Sequence, residues 1–259
     1  METLDDNAKR ITGQVRTLLG PASPWRVEVV ERAGSTNAEL AARVRQGGPL
    51  DHVAMVALDQ EAGKGRLARS WSMPPGQGVA VSMALPLTPD ITRWGLIPLG
   101  TGVAVVRAAH ELGIDARLKW PNDVLVGGRK LCGILAEVAG STVVVGVGVN
   151  VSQTAETIFP GGISVGLAGS TAGRAEVVAA VLNQVDQIWT MLGSDAGRAA
   201  LLGAYRASCD TLQRQVRVYS DEQTWVEGEA LDIADDGELL VRVDGEVRAF
   251  ASGDVYHLR

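Results

Sequence analysis

The chain has 259 residues, 46% of them hydrophobic, and 24 basic against 30 acidic residues give it a formal net charge of −6. That length holds one large domain, or a large one with a small one, and no run of about 18 apolar residues offers a membrane span. The acidic balance argues against general nucleic-acid binding, which needs clustered Lys and Arg. Two distant cysteines, Cys132 and Cys209, and three scattered histidines, His52, His110 and His257, suit neither a disulfide framework nor a zinc site and fit a reducing cytoplasm. The polar start METLDDNAKR has no apolar signal region behind it.

Residues 1–24 read as a short helix and a linker ending at Pro24, and residues 25–31 (WRVEVVE) as a strand. Thr36 and Glu39 have capping-box spacing, so a helix is expected from about Asn37 to Gly47–Gly48. Two strands follow, 53–60 (VAMVALDQ) and 78–87 (GVAVSMALPL), then a helix over 101–113 ending at Gly113. A short strand at 117–120 precedes a hairpin turning at Gly127-Gly128, and 141–151 (STVVVGVGVNV) is the most strand-like stretch. Residues 174–206 are helical in character. After Cys209 the texture changes to apolar–polar alternation with turns at Asp236-Gly237 and Asp244-Gly245, the pattern of a small antiparallel module. The expected division is 1–207 and 208–259.

Five short stretches carry chemistry. EAGKGRLARSW (61–71) sets Lys64, Arg66 and Arg69 among glycines, which makes either an anion site or a solvated basic turn. It lacks the spacing of a Walker A loop. In KWPNDV (119–124), Pro121 holds Trp120 extended, and Asn122 with Asp123 either orients a ligand or magnesium ion or forms an Asx turn. In GGRKLCGILAE (127–137), alternation puts Lys130 on one face with Cys132 and Ile134, where it needs an anion or must reach for solvent. Gly146 and Gly148 inside a strand imply close approach of something flat, or tight helix packing, and Asn150 ends that run. Ser35 and Thr36 either cap the helix or bind a polar head group.

Taken in order, GSTNAEL (34–40), QEAGKGRLARSW (60–71), KWPNDV (119–124), GGRKLCGILAE (127–137) and GVGVNV (146–151) resemble the signature segments of the biotin protein ligases, and the resemblance covers about residues 25–258. It implies an α+β fold: a mixed β-sheet flanked by helices, as in class II aminoacyl-tRNA synthetases, with a C-terminal SH3-like β-barrel. It implies a ligase that forms a C–N bond in two steps. Biotin and ATP give biotinyl-5′-AMP and pyrophosphate, and a lysine of a biotin carboxyl carrier domain of an acyl-CoA carboxylase then takes the biotin.

By the same resemblance, biotin is met by Ser35, Thr36, Gln60, Gly63, Lys64, Gly65, Arg66, Lys130, Gly133, Gly146 and Gly148. The adenylate is met by Arg69, Trp71, Asn122, Lys130 and Asn150. Lys130 is the main catalytic cation, with Arg66 and Arg69 beside it. Asp123 is assigned to support the magnesium that accompanies ATP, or its water. The loop departs from the family pattern, with Lys64 where arginine is common and Leu67-Ala68 where Arg/His-Gly is common, so weaker retention of the intermediate is expected. Repulsion among the clustered cations is expected to keep residues 63–70 disordered until an anion binds. The segment before the first strand is too short for the DNA-binding domain that some relatives carry, so no operator binding is expected. A monomer or a ligand-dependent homodimer is expected. The alternatives are a lipoate or octanoyl ligase or transferase of the same fold, and a non-catalytic biotin-dependent regulator.

Overall fold

Seven strands assemble into one mixed sheet because two of the apolar runs are long enough to be covered on both faces. The structure is a computed structural model that describes residues 4–47, 50–66, 69–87, 93–219 and 224–258. The strands are β1 (Arg26–Ala33), β2 (Val53–Gln60), β3 (Gly78–Pro86), β4 (Arg117–Lys119), β5 (Asp123–Val126), β6 (Arg129–Ala139) and β7 (Thr142–Asn150), in the spatial order β1-β2-β3-β7-β6-β5-β4. Only β1 and β2 run parallel; the other neighbours are antiparallel. The first six residues of β2 and the first eight of β3 are buried, as expected of central strands that show no polar face.

Helices α1 (Leu4–Leu19), α3 (Leu96–Glu111), α4 (Arg174–Leu192) and α5 (Asp195–Ser208) gather in one layer, and α2 (Thr36–Arg45) packs separately against β2, β3, β6 and β7. Helix α3 begins a full turn before the expected 101. Twelve of its 16 residues are buried, so no polar face marks its limits, and Pro98 lies in the first turn, where proline is tolerated. The helical stretch 174–206 divides at Gly193, and the Ser194 hydroxyl caps α5 by accepting from the Gly197 N–H at 3.1 Å.

Helix α2 is capped one residue earlier than its sequence spacing suggests. The Ser35 hydroxyl accepts from the Ala38 N–H, and Glu39 Oε1 reaches back to the Gly34 N–H at 2.8 Å. Thr36 is already the first helical residue, and its N–H and hydroxyl both donate to Gln60 Oε1, at 3.0 and 3.2 Å. Gly127 and Gly128 both have positive φ (55° and 75°), the requirement of the two-residue turn joining β5 to β6.

A β-bulge then corrects the expected alternation. Lys130 pairs with Leu125 and Cys132 with Val124, so Leu131 is an extra residue in β6. The slip moves Lys130 off the buried face of Cys132 and Ile134 and onto the face of Gly133.

The C-terminal strands β8 (Gln215–Tyr219), β9 (Trp225–Ile233), β10 (Leu239–Val243), β11 (Glu246–Phe250) and β12 (Asp254–His257) form an antiparallel sheet in the order β11-β10-β9-β8-β12. Val216, Val218, Ala230, Ile233, Leu239, Val241, Val243 and Val255 are its buried residues. Trp120, 1% exposed, fastens this sheet to the first: its indole N–H donates to Gly237 O at 3.0 Å and its backbone N–H to the Thr211 hydroxyl at 3.1 Å.

Candidate functional site

One cavity of about 190 Å³ collects nearly all of the motif residues. It lies where the start of α2, the loop after β2, the β4–β5 corner, the middle of β6 and β7, and strand β12 meet.

One part of the lining is made of neutral hydrogen-bonding groups. Ser35, Thr36, Asn37 and Ser82 are all buried. Ser82 Oγ is 2.7 Å from both Thr36 Oγ1 and Asn37 Oδ1, and its single proton can serve only one of them. Asn37 is steered in turn by Glu137, which accepts from its Nδ2 at 3.0 Å. With Gln60 bound to Thr36, these groups form a preorganised patch suited to a small polar, amide-like head group.

Another part is cationic. Lys130 Nζ is 2.6 Å from Asp123 Oδ1. Arg66 donates to Asn122 Oδ1 at 3.4 Å and to Gly253 O at 3.3 Å, and Arg69 is ion-paired with Asp254. Lys119 Nζ lies 5.6 Å from the Tyr256 ring centroid. Lys64 also lines the cavity; its side chain is exposed while its backbone bridges to Ser70. Burial pulls the Arg66 guanidinium below its usual range; Asp123 opposes this and Arg69 adds to it. The same cause lowers Lys119, with Asp123 again opposing and Lys130 and Arg69 adding. Both groups gain by meeting an anion.

The flat object that Gly148 admits is the Trp71 indole. A Cβ on Gly148 would stand 2.4 Å from Trp71 Nε1, and one on Gly133 would stand 3.1 Å from Trp71 Cζ3 and 3.4 Å from Lys130 Nζ. Phe159 packs edge-on against the same ring, with centroids 6.4 Å apart, and Lys130 Nζ lies 5.5 Å from it. The indole N–H is buried with no partner among the described residues. At Gly146 the close neighbour is Asn37, whose Oδ1 would be 2.4 Å from an added Cβ.

Ser35, Thr36, Gln60, Lys64, Gly65, Arg66, Arg69, Trp71, Asn122, Asp123, Lys130, Gly133, Gly146 and Gly148 therefore line one cavity. Two of the expected residues do not. Gly63 lies beside it, packed so closely that a Cβ would clash with Trp71 O and Gln60 Nε2 at 2.2 and 2.3 Å. Asn150 is fully buried; its Nδ2 donates to Lys130 O (3.2 Å) and Ile163 O (3.1 Å), and its Oδ1 accepts from Gln153 (3.1 Å). It braces the Lys130 strand and does not face the cavity. Leu67 and Ala68, and with them part of the expectation about loop 63–70, lie outside the described residues.

Asp123, expected to support magnesium or its water, has its Oδ1 2.6 Å from Lys130 Nζ. Among the described residues no group of three Asp, Glu, His or Cys side chains converges to hold a metal. The sequence reading gave no role to Lys119, Asn37, Ser82, Glu137, Asp254 or Tyr256. Lys119 and Asn37 sit inside quoted motifs, but Asp254 and Tyr256 reach the cavity only because β12 pairs with β8, which no local pattern announces. Among the described residues no helix is long and apolar enough to cross a membrane.

Comparison with known proteins agrees with this picture. Residues 29–153 match the biotin/lipoate A/B protein ligase family, and residues 211–258 match the biotin protein ligase C-terminal domain. The chain is 36% identical over 249 residues to the biotin–[acetyl-CoA-carboxylase] ligase of Mycobacterium tuberculosis, covering 93% of each. It is 28% identical to the bifunctional ligase/repressor BirA of Escherichia coli, covering 96% of this chain and 77% of that one. In fold it resembles the biotin protein ligase from Aquifex aeolicus solved in complex with biotin and ATP, with a TM-score of 0.76 at 23% identity over 90% of this chain and 99% of that one.

Proposed function

Because the chain belongs to the biotin protein ligase family, we propose that the cavity is where it activates biotin with ATP and hands it to the lysine of a biotin carboxyl carrier domain. The observation that carries this reading is Lys130: a bulge delivers its ammonium to a cavity that also holds a neutral hydrogen-bonding patch and a second group of cations.

The first step brings together two anions. A biotin carboxylate oxygen attacks the α-phosphorus of ATP, the bond from that phosphorus to the bridging oxygen breaks, and pyrophosphate leaves. Two unit charges about 4 Å apart repel by about 4 kcal/mol in a partly desolvated site. Fixed cations remove that penalty without reorganising, which is the condition for strong transition-state stabilisation. Lys130 takes the carboxylate and α-phosphate oxygens, held for the task by Asp123 and braced through Asn150. Arg66 and Arg69 take further phosphate oxygens. Ser35, Thr36 and Gln60 meet the ureido head, and Trp71 with Asn122 meets the nucleotide. In the second step an uncharged lysine amine attacks the acyl carbon, AMP departs, and the nitrogen gives up a proton as the amide forms. Magnesium enters as part of the substrate MgATP, held by the phosphates. Residues 208–259 form the C-terminal domain, which closes one wall of the cavity through β12.

The test is mass spectrometry of a purified biotin carboxyl carrier domain incubated with the protein, biotin and MgATP. One biotinyl unit on one lysine is expected. Lipoate supporting ATP–pyrophosphate exchange as well as biotin does would refute the substrate assignment.

A further inference from the structure

Lys119 is a half-buried cation of the cavity with no ion pair of its own among the described residues. Lys130 has Asp123, Arg69 has Asp254, and Arg66 has Asn122 and the Gly253 carbonyl. Lys119 lines the same cavity beside the Tyr256 ring and across the strand pair from Asp123, whose Oδ1 is held by Lys130, and among the described residues no carboxylate forms an ion pair with it. An amine removed from water without a counter-charge is costly unless an anion meets it. Resting on the adenylation reading above, we propose that Lys119 is a further catalytic residue, one that binds the outer phosphates of ATP and neutralises the pyrophosphate as it departs.

Its position separates this role from that of Lys130. Lys119 ends β4 and Lys130 is on β6, with β5 between them. Lys119 stands on the rung of Asp123 and Gly133, and Lys130 lies three residues before Gly133, so their backbones are more than two strand spacings, about 10 Å, apart. The two ammoniums therefore enter one cavity from separate anchor points. Lys119 also faces the wall built by β12, where Arg66 and Arg69 have their partners, so three cations cluster on that side. When the α-phosphorus accepts the carboxylate oxygen, the electron pair of the breaking P–O bond stays on the bridging oxygen. Pyrophosphate thereby gains a negative charge, the ammonium of Lys119 balances it, and no proton moves. Burial lowers the proton affinity of Lys119, and the incoming phosphates offset that burial.

Lys119→Met is compared with wild type in biotin-dependent ATP–pyrophosphate exchange and in equilibrium binding of preformed biotinyl-5′-AMP. Exchange should fall about 10²-fold, the usual cost of one stabilising donor, with the KM for ATP and for pyrophosphate both raised. Binding of biotinyl-5′-AMP, which carries no outer phosphates, should stay within about twofold. Lys119→Arg should restore exchange to within about tenfold. Equal losses in both assays, or no loss in exchange, overturn the proposal. Lys119→Gln carries the same comparison if the methionine variant does not fold. A wild-type protein without biotin-dependent exchange defeats the adenylation reading itself, a result distinct from any change at position 119.

Discussion

Substituting Gly148 by alanine tests the cavity where its packing is tightest. The added methyl would stand 2.4 Å from Trp71 Nε1 and 2.5 Å from Cε2. That is about 1 Å inside the separation at which non-bonded heavy atoms rest. The indole cannot yield freely, because Gly133 lies against its other edge and Phe159 packs on it. Overpacking of this kind costs about 1–3 kcal/mol. The methyl also intrudes on the space a ligand shares with the indole, and about 1.4 kcal/mol of lost contact is tenfold in affinity. Urea unfolding should show the stability loss, and calorimetric titration should show biotin bound about tenfold more weakly. Gly166→Ala is the control: its nearest neighbour would be Val151 O at 3.6 Å, an ordinary contact, and it should change stability by less than about 0.5 kcal/mol. A Gly148→Ala protein with wild-type stability and wild-type biotin affinity would refute the packing argument.

Four further outcomes are expected. Lys130→Ala should cut ATP–pyrophosphate exchange by about 10²–10³-fold; turnover near wild type would remove the central cation from the mechanism. Trp120→Phe leaves Gly237 O without its donor in a buried setting, so chemical denaturation should show a loss of about 1–3 kcal/mol. His257 hydrogen-bonds the Thr211 hydroxyl, and burial, with Lys119 and Arg214 adding, pushes it down to about 4. Its folded pKa lies below the unfolded 6.5, so its contribution to stability is complete above pH 6.5 and is lost as pH falls toward 4. Discounted for partial exposure, that amounts to about 1–2 kcal/mol, read as a shallower pH dependence of urea unfolding in His257→Gln. Finally, Lys64→Arg restores a fork in place of a point charge and should slow release of biotinyl-5′-AMP in a chase experiment; faster release contradicts the loop argument.

What could be read in the sequence depended on whether its cause was local. Glycine and proline punctuation fixes turns within a few residues, so the hairpin at Gly127-Gly128 is legible, while the break at Gly193 inside the helical stretch 174–206 is supplied by the structure. Ser35, Thr36, Gln60 and Lys130 were visible as types at motif spacing, and the chain does bring them to one cavity. The bulge at Leu131 was not, because strict alternation leaves no sign of an inserted residue, and so the face of Lys130 was misassigned. The start of α3 was hidden by its uniform burial. Asn150 has the look of a ligand contact, yet its amide is used up on Lys130 O and Ile163 O, partners that only the folded chain supplies. Asp254 and Tyr256 come to the cavity from the far end of the chain, a placement set by strand pairing in the second sheet.

The ion pair between Arg69 and Asp254 makes the cationic loop and the last strand rivals of any incoming phosphate. A nucleotide that claimed the guanidinium would take from Asp254 its partner and loosen a mooring between the large sheet and the small one. Quicker amide exchange along β12 on adding ligand is the outcome expected of that competition.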